Sequence, residues 1–150
     1  MKTAMMLAAI LSAASPAVAD EPDQLFNNNC AICHQAGGVG VKGQFPRLAG
    51  RAGLIAAKPQ GRDFLVSLAL NGMSGTVTVD GQKIVGVMPD FSSFSDDDLA
   101  SILTYVSGLG GTAPTRFTPD RVKQERTKPQ VSPTDMAATR NKLQAAGIIP

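Results

Sequence analysis

The residues best suited to chemistry sit together in Cys30-Ala31-Ile32-Cys33-His34. Two thiols three positions apart on a helical turn can add to the two vinyl groups along one edge of a porphyrin. The imidazole of the next residue then lies under the iron. In this reading Cys30 and Cys33 anchor a covalent haem and His34 is its proximal axial ligand. Two other chemistries draw on the same residue types. A thiol–disulfide pair of the thioredoxin kind needs a preceding strand and a βαβ frame, whereas this segment passes from a helical pattern into glycine-rich chain. A structural zinc needs four ligands from Cys, His or carboxylate, and the chain contains two Cys and one His. Covalent haem is the favoured chemistry.

Because His34 is the only histidine, a second axial ligand must be of another type. Thioether sulfur is the usual one, and it raises the potential of the iron. Three methionines lie beyond residue 19: Met73, Met88 and Met136. Met88 falls in Gly86-Val87-Met88-Pro89-Asp90-Phe91, read as a loop ahead of a helix. Pro89 fixes the backbone there and pushes Met88 towards an extended conformation, so the loop can present one side chain rigidly. Met73 follows a helical pattern at Leu70-Asn71-Gly72 and suits core or haem packing equally well. Met136 reads as an apolar helix position. Met88 is therefore the expected ligand, and with both axial positions filled the iron would cycle between two oxidation states without binding substrate. The alternative is a haem enzyme or gas sensor with an open distal site. Such chemistry usually wants a distal acid or base, and the one histidine is already committed.

These side chains must be positioned by a mainly helical frame. A first helix is expected over Pro22 to Cys33, with Leu25, Phe26 and Asn29 near one face, and a second over Arg62 to Asn71, where Phe64, Leu65, Leu68 and Ala69 follow helical spacing. A third starts at the N-cap Ser95, carries three aspartates in its first turn and presents Leu99, Ile102, Leu103 and Val106 before Gly108 and Gly110 end it. Between the second and third, Thr76 to Val85 alternates apolar and polar around Asp80-Gly81, the pattern of a β-hairpin. A haem domain of about 90 residues has a marginal core of its own, so a buried porphyrin would be part of what holds it folded.

With 150 residues and 43% hydrophobic content, the chain has the size and composition of one globular domain. Residues 1–19 carry one basic residue, Lys2, an apolar run from Ala4 to Ala14 and small residues at Ala17 and Ala19. They read as a signal peptide cleaved after Ala19, with export to the periplasm and no stable membrane anchor left behind, since the run falls short of the roughly 20 residues that span a bilayer. No cysteine follows the run to take a lipid. Residues 20–110, the expected haem domain, hold six basic and nine acidic residues, while residues 111–150 hold seven and three. A net charge so close to zero argues against nucleic acid as a partner.

The basic stretch 111–150 contains five of the ten prolines and repeats itself. Phe117-Thr118-Pro119 through Arg126 returns fourteen positions later as Val131-Ser132-Pro133 through Arg140. Thr or Ser followed by Pro is a helix start, so two short helices are expected. They could fold back on the acidic haem domain, wrap a partner enzyme, or make a looser electrostatic contact with an acidic protein or membrane.

From Gln24 to Gly110 the chain resembles class I cytochromes c. Three stretches carry the resemblance: the Cys30-to-His34 segment after an aromatic-bearing helix, Phe45-Pro46-Arg47-Leu48-Ala49-Gly50, and Met88-Pro89 followed by Leu99 to Val106 with Tyr105. The resemblance implies a class I cytochrome c fold, with helices around one haem c. It also implies that the Pro46 carbonyl accepts the His34 imidazole N–H, that Leu48 packs on the haem, and that the last helix crosses the first. More narrowly, Leu70 to Gly75, the hairpin and Gly86 to Pro89 resemble small periplasmic cytochromes that serve dehydrogenases. The donor this implies is a periplasmic dehydrogenase, of the sulfite dehydrogenase type or a quinoprotein or molybdenum alcohol or aldehyde dehydrogenase, and the acceptor is a downstream cytochrome or terminal oxidase. The long stretch 111–150 departs from the usual pattern of the family.

Overall fold

Residues 21–150 are described by a computed structural model; the signal peptide expected over residues 1–19 lies outside the described residues. Pro22 opens helix α1 (Pro22–Asn29) behind an extended Glu21, its fixed φ suiting the first helical turn. The first helix does not run unbroken to Cys33. At Cys30, with φ −107°, the chain turns into the single-turn helix α2 (Ala31–His34). A five-residue helix α3 (Ala52–Ala56) follows, and helix α4 (Pro59–Asn71) starts before the expected Arg62, again with proline in its first turn.

The hairpin is longer than its alternating centre. Strands β1 (Met73–Val79) and β2 (Gln82–Met88) pair antiparallel along their whole length, from Val79 opposite Gln82 to Met73 opposite Met88. Asp80 and Gly81 at the turn both have positive φ, 51° and 73°, as a two-residue turn matched to strand twist requires. Gly75 faces Gly86 across the ladder and interrupts the alternation, which hides the outer pairs from a pattern search. Met88 is therefore the last residue of a strand and not part of a free loop.

Helix α5 (Asp96–Gly108) begins as expected, the Ser95 hydroxyl accepting the Asp98 N–H at 3.0 Å. Helices α6 (Pro119–Arg126) and α7 (Pro133–Ala145) complete the chain, capped by Thr118 and Ser132, which accept the Arg121 and Asp135 N–H groups at 3.4 and 3.1 Å.

Helix α1 lies on α5, with Leu25 and Phe26 against Ile102 and Val106 and the Phe26 and Tyr105 rings 5.6 Å apart. The stretch 111–150 folds back on the rest of the chain. Phe117 and Val122 are buried with Val66, Leu99 and Leu103, while Met136 and Ile149 are buried with Ile55 and Phe64. The apolar side chains available for wrapping a partner are thus used inside the protein. Helix α7 also covers the outer edge of β1, where Arg140 and Gln144 donate to the Thr78 carbonyl at 3.0 and 3.2 Å and Asn141 donates to that of Thr76. Unpaired strand carbonyls are satisfied and the edge is closed to further strand pairing.

Candidate haem site

The turn at Cys30 sets the attachment segment. Its N–H still bonds to the Phe26 carbonyl at 2.8 Å, and its own carbonyl receives the His34 N–H at 2.9 Å, so α2 is anchored to the end of α1. Both cysteines are free and half-buried. Burial pushes the Cys30 thiol up to about 11, the reverse of the lowered value that activates a redox thiol. That environment disfavours the thioredoxin-like alternative.

His34 Nδ1 lies 2.8 Å from the Pro46 carbonyl oxygen. A carbonyl can only accept, so Nδ1 carries the proton and the Nε2 lone pair is free for a metal. Burial lowers the imidazole's affinity for a second proton, and the Pro46 bond opposes it in part; the balance favours the neutral, ligating form. The loop between them is folded tightly. The Gly40 N–H bonds to the His34 carbonyl at 2.8 Å, and with φ +68° a Cβ on Gly40 would stand 2.6 Å from the Phe45 carbonyl oxygen. Leu48 is half-buried and packs with the cluster of Leu25, Phe26 and Ala52.

Met88 is set by the hairpin and by α4. Gly72, at φ +68°, lets the end of α4 approach Met88 so closely that a Cβ there would lie 2.7 Å from the Met88 carbonyl oxygen. Beyond Pro89, the Phe91 N–H bonds to the Ala69 carbonyl at 2.8 Å, so the segment is tied down on both sides. Met73 stands beside Met88 as its cross-strand partner.

The expected site residues line one cavity of ≈ 400 Å³, a size at which pockets bury a sizeable organic ligand. Cys30, Cys33, His34, Pro46 and Leu48 contribute, and so do Met73 and Met88. The remaining wall is mostly apolar: Ile55, Phe64 and Leu68 from α3 and α4, Val77, Val79 and Ile84 from the hairpin, and Leu99, Ile102 and Leu103 from α5. An apolar cleft with paired thiols, a carbonyl-oriented imidazole and thioethers fits a covalent haem, whose faces are apolar and whose iron takes nitrogen and sulfur. Met136 is not brought to this cavity and instead is buried in the core, 1% exposed. Sequence reasoning missed Arg51 and Arg140, which also line the cavity and are only 6% and 5% exposed. No local pattern marks Arg140, since Arg126 stands at the same spacing after Val122 and pairs with Asp96 instead.

The family described as "Cytochrome C oxidase, cbb3-type, subunit III" matches residues 17–106. Cytochrome c-552 of Thermus thermophilus is 38% identical over 119 residues, which cover 76% of this chain and 90% of that protein. The cytochrome c subunit of a quinone alcohol dehydrogenase from Gluconobacter oxydans is 30% identical over 106 residues, covering 69% of this chain and 21% of that longer protein. The family match takes in the attachment segment, the hairpin and nearly all of α5. On that breadth, the chain belongs to the class I c-type cytochromes, electron-transfer proteins that carry covalent haem c.

Proposed function

We propose that this protein is a periplasmic mono-haem cytochrome c, six-coordinate through His34 and Met88, that passes single electrons from a periplasmic dehydrogenase towards the respiratory chain. The observation that carries the reading is the convergence on one apolar cavity of the Cys30-to-His34 segment and Met88, with His34 Nδ1 already held by the Pro46 carbonyl. When bound, the haem iron supplies a one-electron Fe(II)/Fe(III) couple. Cys30 and Cys33 fix the group in place. His34 would ligate through Nε2 with its orientation set by Pro46, and Leu48, in the lining of the same cavity, would pack on the group. Met88 provides the thioether, the choice over Met73 resting on Pro89 and on the ties to Gly72 and Ala69. The apolar lining keeps water away, which favours a high and stable potential.

The role is non-catalytic, and donor and acceptor lie outside the chain. A relative that is itself a cytochrome c subunit of a quinone alcohol dehydrogenase supports a dehydrogenase donor. Quinoprotein donors and the sulfite dehydrogenase type are separated by which purified enzyme reduces the protein at a useful rate. The family's description as an oxidase subunit supports a downstream cytochrome or terminal oxidase as acceptor. The residue pattern at the amino terminus supports export. Among the described residues no helix is long and apolar enough to cross a membrane.

The test is addition of carbon monoxide to the reduced holoprotein. Sharp reduced bands that do not change are expected from an iron with both axial positions held. Prompt carbon monoxide binding would instead favour the haem enzyme or gas sensor with an open distal site.

A further inference from the structure

The apolar cavity has one strongly cationic end. Arg51, at the start of α3, and Arg140, on the buried face of α7, both line it and are almost wholly buried. Arg47 lines it too, from the loop after Pro46. Arg47 and Arg51 pair with the carboxylate of Asp80, at the hairpin turn. Asp80 accepts from Arg47 Nε and Nη2 at 3.0 and 3.2 Å and from Arg51 Nη1 at 3.4 Å, and its side chain is 45% exposed. Arg51 also donates to the Pro150 carbonyl oxygen. Arg140 bonds to neutral acceptors, the Thr78 carbonyl at 3.0 Å and Gln144 Oε1 at 3.1 Å. Arg47 and Arg51 thus share one half-exposed carboxylate, and Arg140 is held by neutral acceptors alone. The other titratable side chains lining the cavity, Cys30, Cys33 and His34, belong to the attachment segment and bring no anion. Burial, and then the neighbouring Arg51 charge, push the Arg140 guanidinium down to about 10, as befits a cation short of counter-charge.

Buried guanidiniums without full compensation are costly, and their planar forks are matched to carboxylates. On the reading of this cavity as a haem site, we propose that Arg51 and Arg140 seat the two propionate carboxylates of the haem, so that α7 forms part of the haem pocket itself. The stretch beyond residue 110 then supplies a functional group to the cofactor as well as a cover. Two guanidiniums would hold the carboxylates ionised and mask their charge from the iron, leaving the potential nearly independent of pH where carboxylates could otherwise begin to titrate.

The experiment measures the midpoint potential of the holoprotein against pH, from about 5 to about 8, around and above the ordinary carboxylate range. The wild type should give a nearly flat profile. Arg140→Met should lower the potential at neutral pH, because an unmasked carboxylate stabilises the ferric iron, and make it rise as pH falls and that carboxylate takes up a proton. Arg51→Met should act in the same direction, and serves if Arg140→Met fails to fold. Arg140→Lys should recover most of the flat profile. Arg126→Met, which removes a tail arginine paired with Asp96, and Met136→Ala, which loosens α7 with Arg140 intact, should leave the profile unchanged. Unchanged profiles in Arg140→Met and Arg51→Met would overturn the proposal. So would a Met136→Ala profile altered as much as that of Arg140→Met, since loosening alone would then explain the effect. Failure of the underlying haem reading would look different: the wild type itself would lack the absorbance of a covalently bound haem.

Discussion

Helices α6 and α7 begin with the same device and end in different roles. Each has a hydroxyl N-cap, Thr118 or Ser132, followed by proline, then a fully buried apolar residue, Val122 or Met136, and then an arginine at the next turn, Arg126 or Arg140. Helix α6 rests on α5 and α4, and Arg126 turns outward to Asp96 at 2.6 Å and to the Ser92 and Phe94 carbonyls. Helix α7 rests on the hairpin, and Arg140 points into the wall of the apolar cavity. The local sequence starts and phases both helices. The surface each one meets decides whether its arginine clasps the exterior or reaches the apolar cavity.

The comparison breaks most visibly in the core. Met136→Ala should cost about 2–5 kcal/mol in denaturant unfolding of the ferric holoprotein, and Val122→Ala about 1–3 kcal/mol, because both side chains are fully buried against residues of α3 and α4. Losses well under about 1 kcal/mol in both would mean that residues 111–150 do not unfold with the rest. The caps should bring the two helices level. Thr118→Ala and Ser132→Ala should each cost about 0.5–2 kcal/mol by the same measurement, with similar values, since a cap acts locally and does not depend on what the helix packs against. A much larger effect in one helix would show that its hydroxyl does more than start the turn.

The parts of the fold legible in sequence are those encoded within a few neighbouring residues. Ser95 with its three aspartates marks the start of α5, the two Thr/Ser-Pro pairs mark α6 and α7, and Asp80-Gly81 marks the hairpin turn. What was hidden depends on distant contacts. The outer hairpin pairs are obscured because Gly75 and Gly86 lack the side chains that make an alternation, and α3 is too short, and too small in its side chains, to show a period. The break at Cys30 cannot be seen in a run that is helical on both sides. In the site, the thiols and imidazole are declared by their spacing. Arg140 looks in sequence like an ordinary exposed cation, and only the docking of α7 on β1 buries it. Met73 gained a place beside Met88 through strand register, which no local pattern states.

That register makes the choice between the two thioethers the most direct test of the account. The measurement is the weak long-wavelength sulfur-to-iron band of the ferric holoprotein, recorded for Met88→Ala and for Met73→Leu. Met88→Ala should abolish the band and open the reduced iron to carbon monoxide, while Met73→Leu should leave both properties as in the wild type. A band that survives Met88→Ala and disappears in Met73→Leu would move the ligand across the hairpin to Met73 and contradict the assignment on which the six-coordinate site is built.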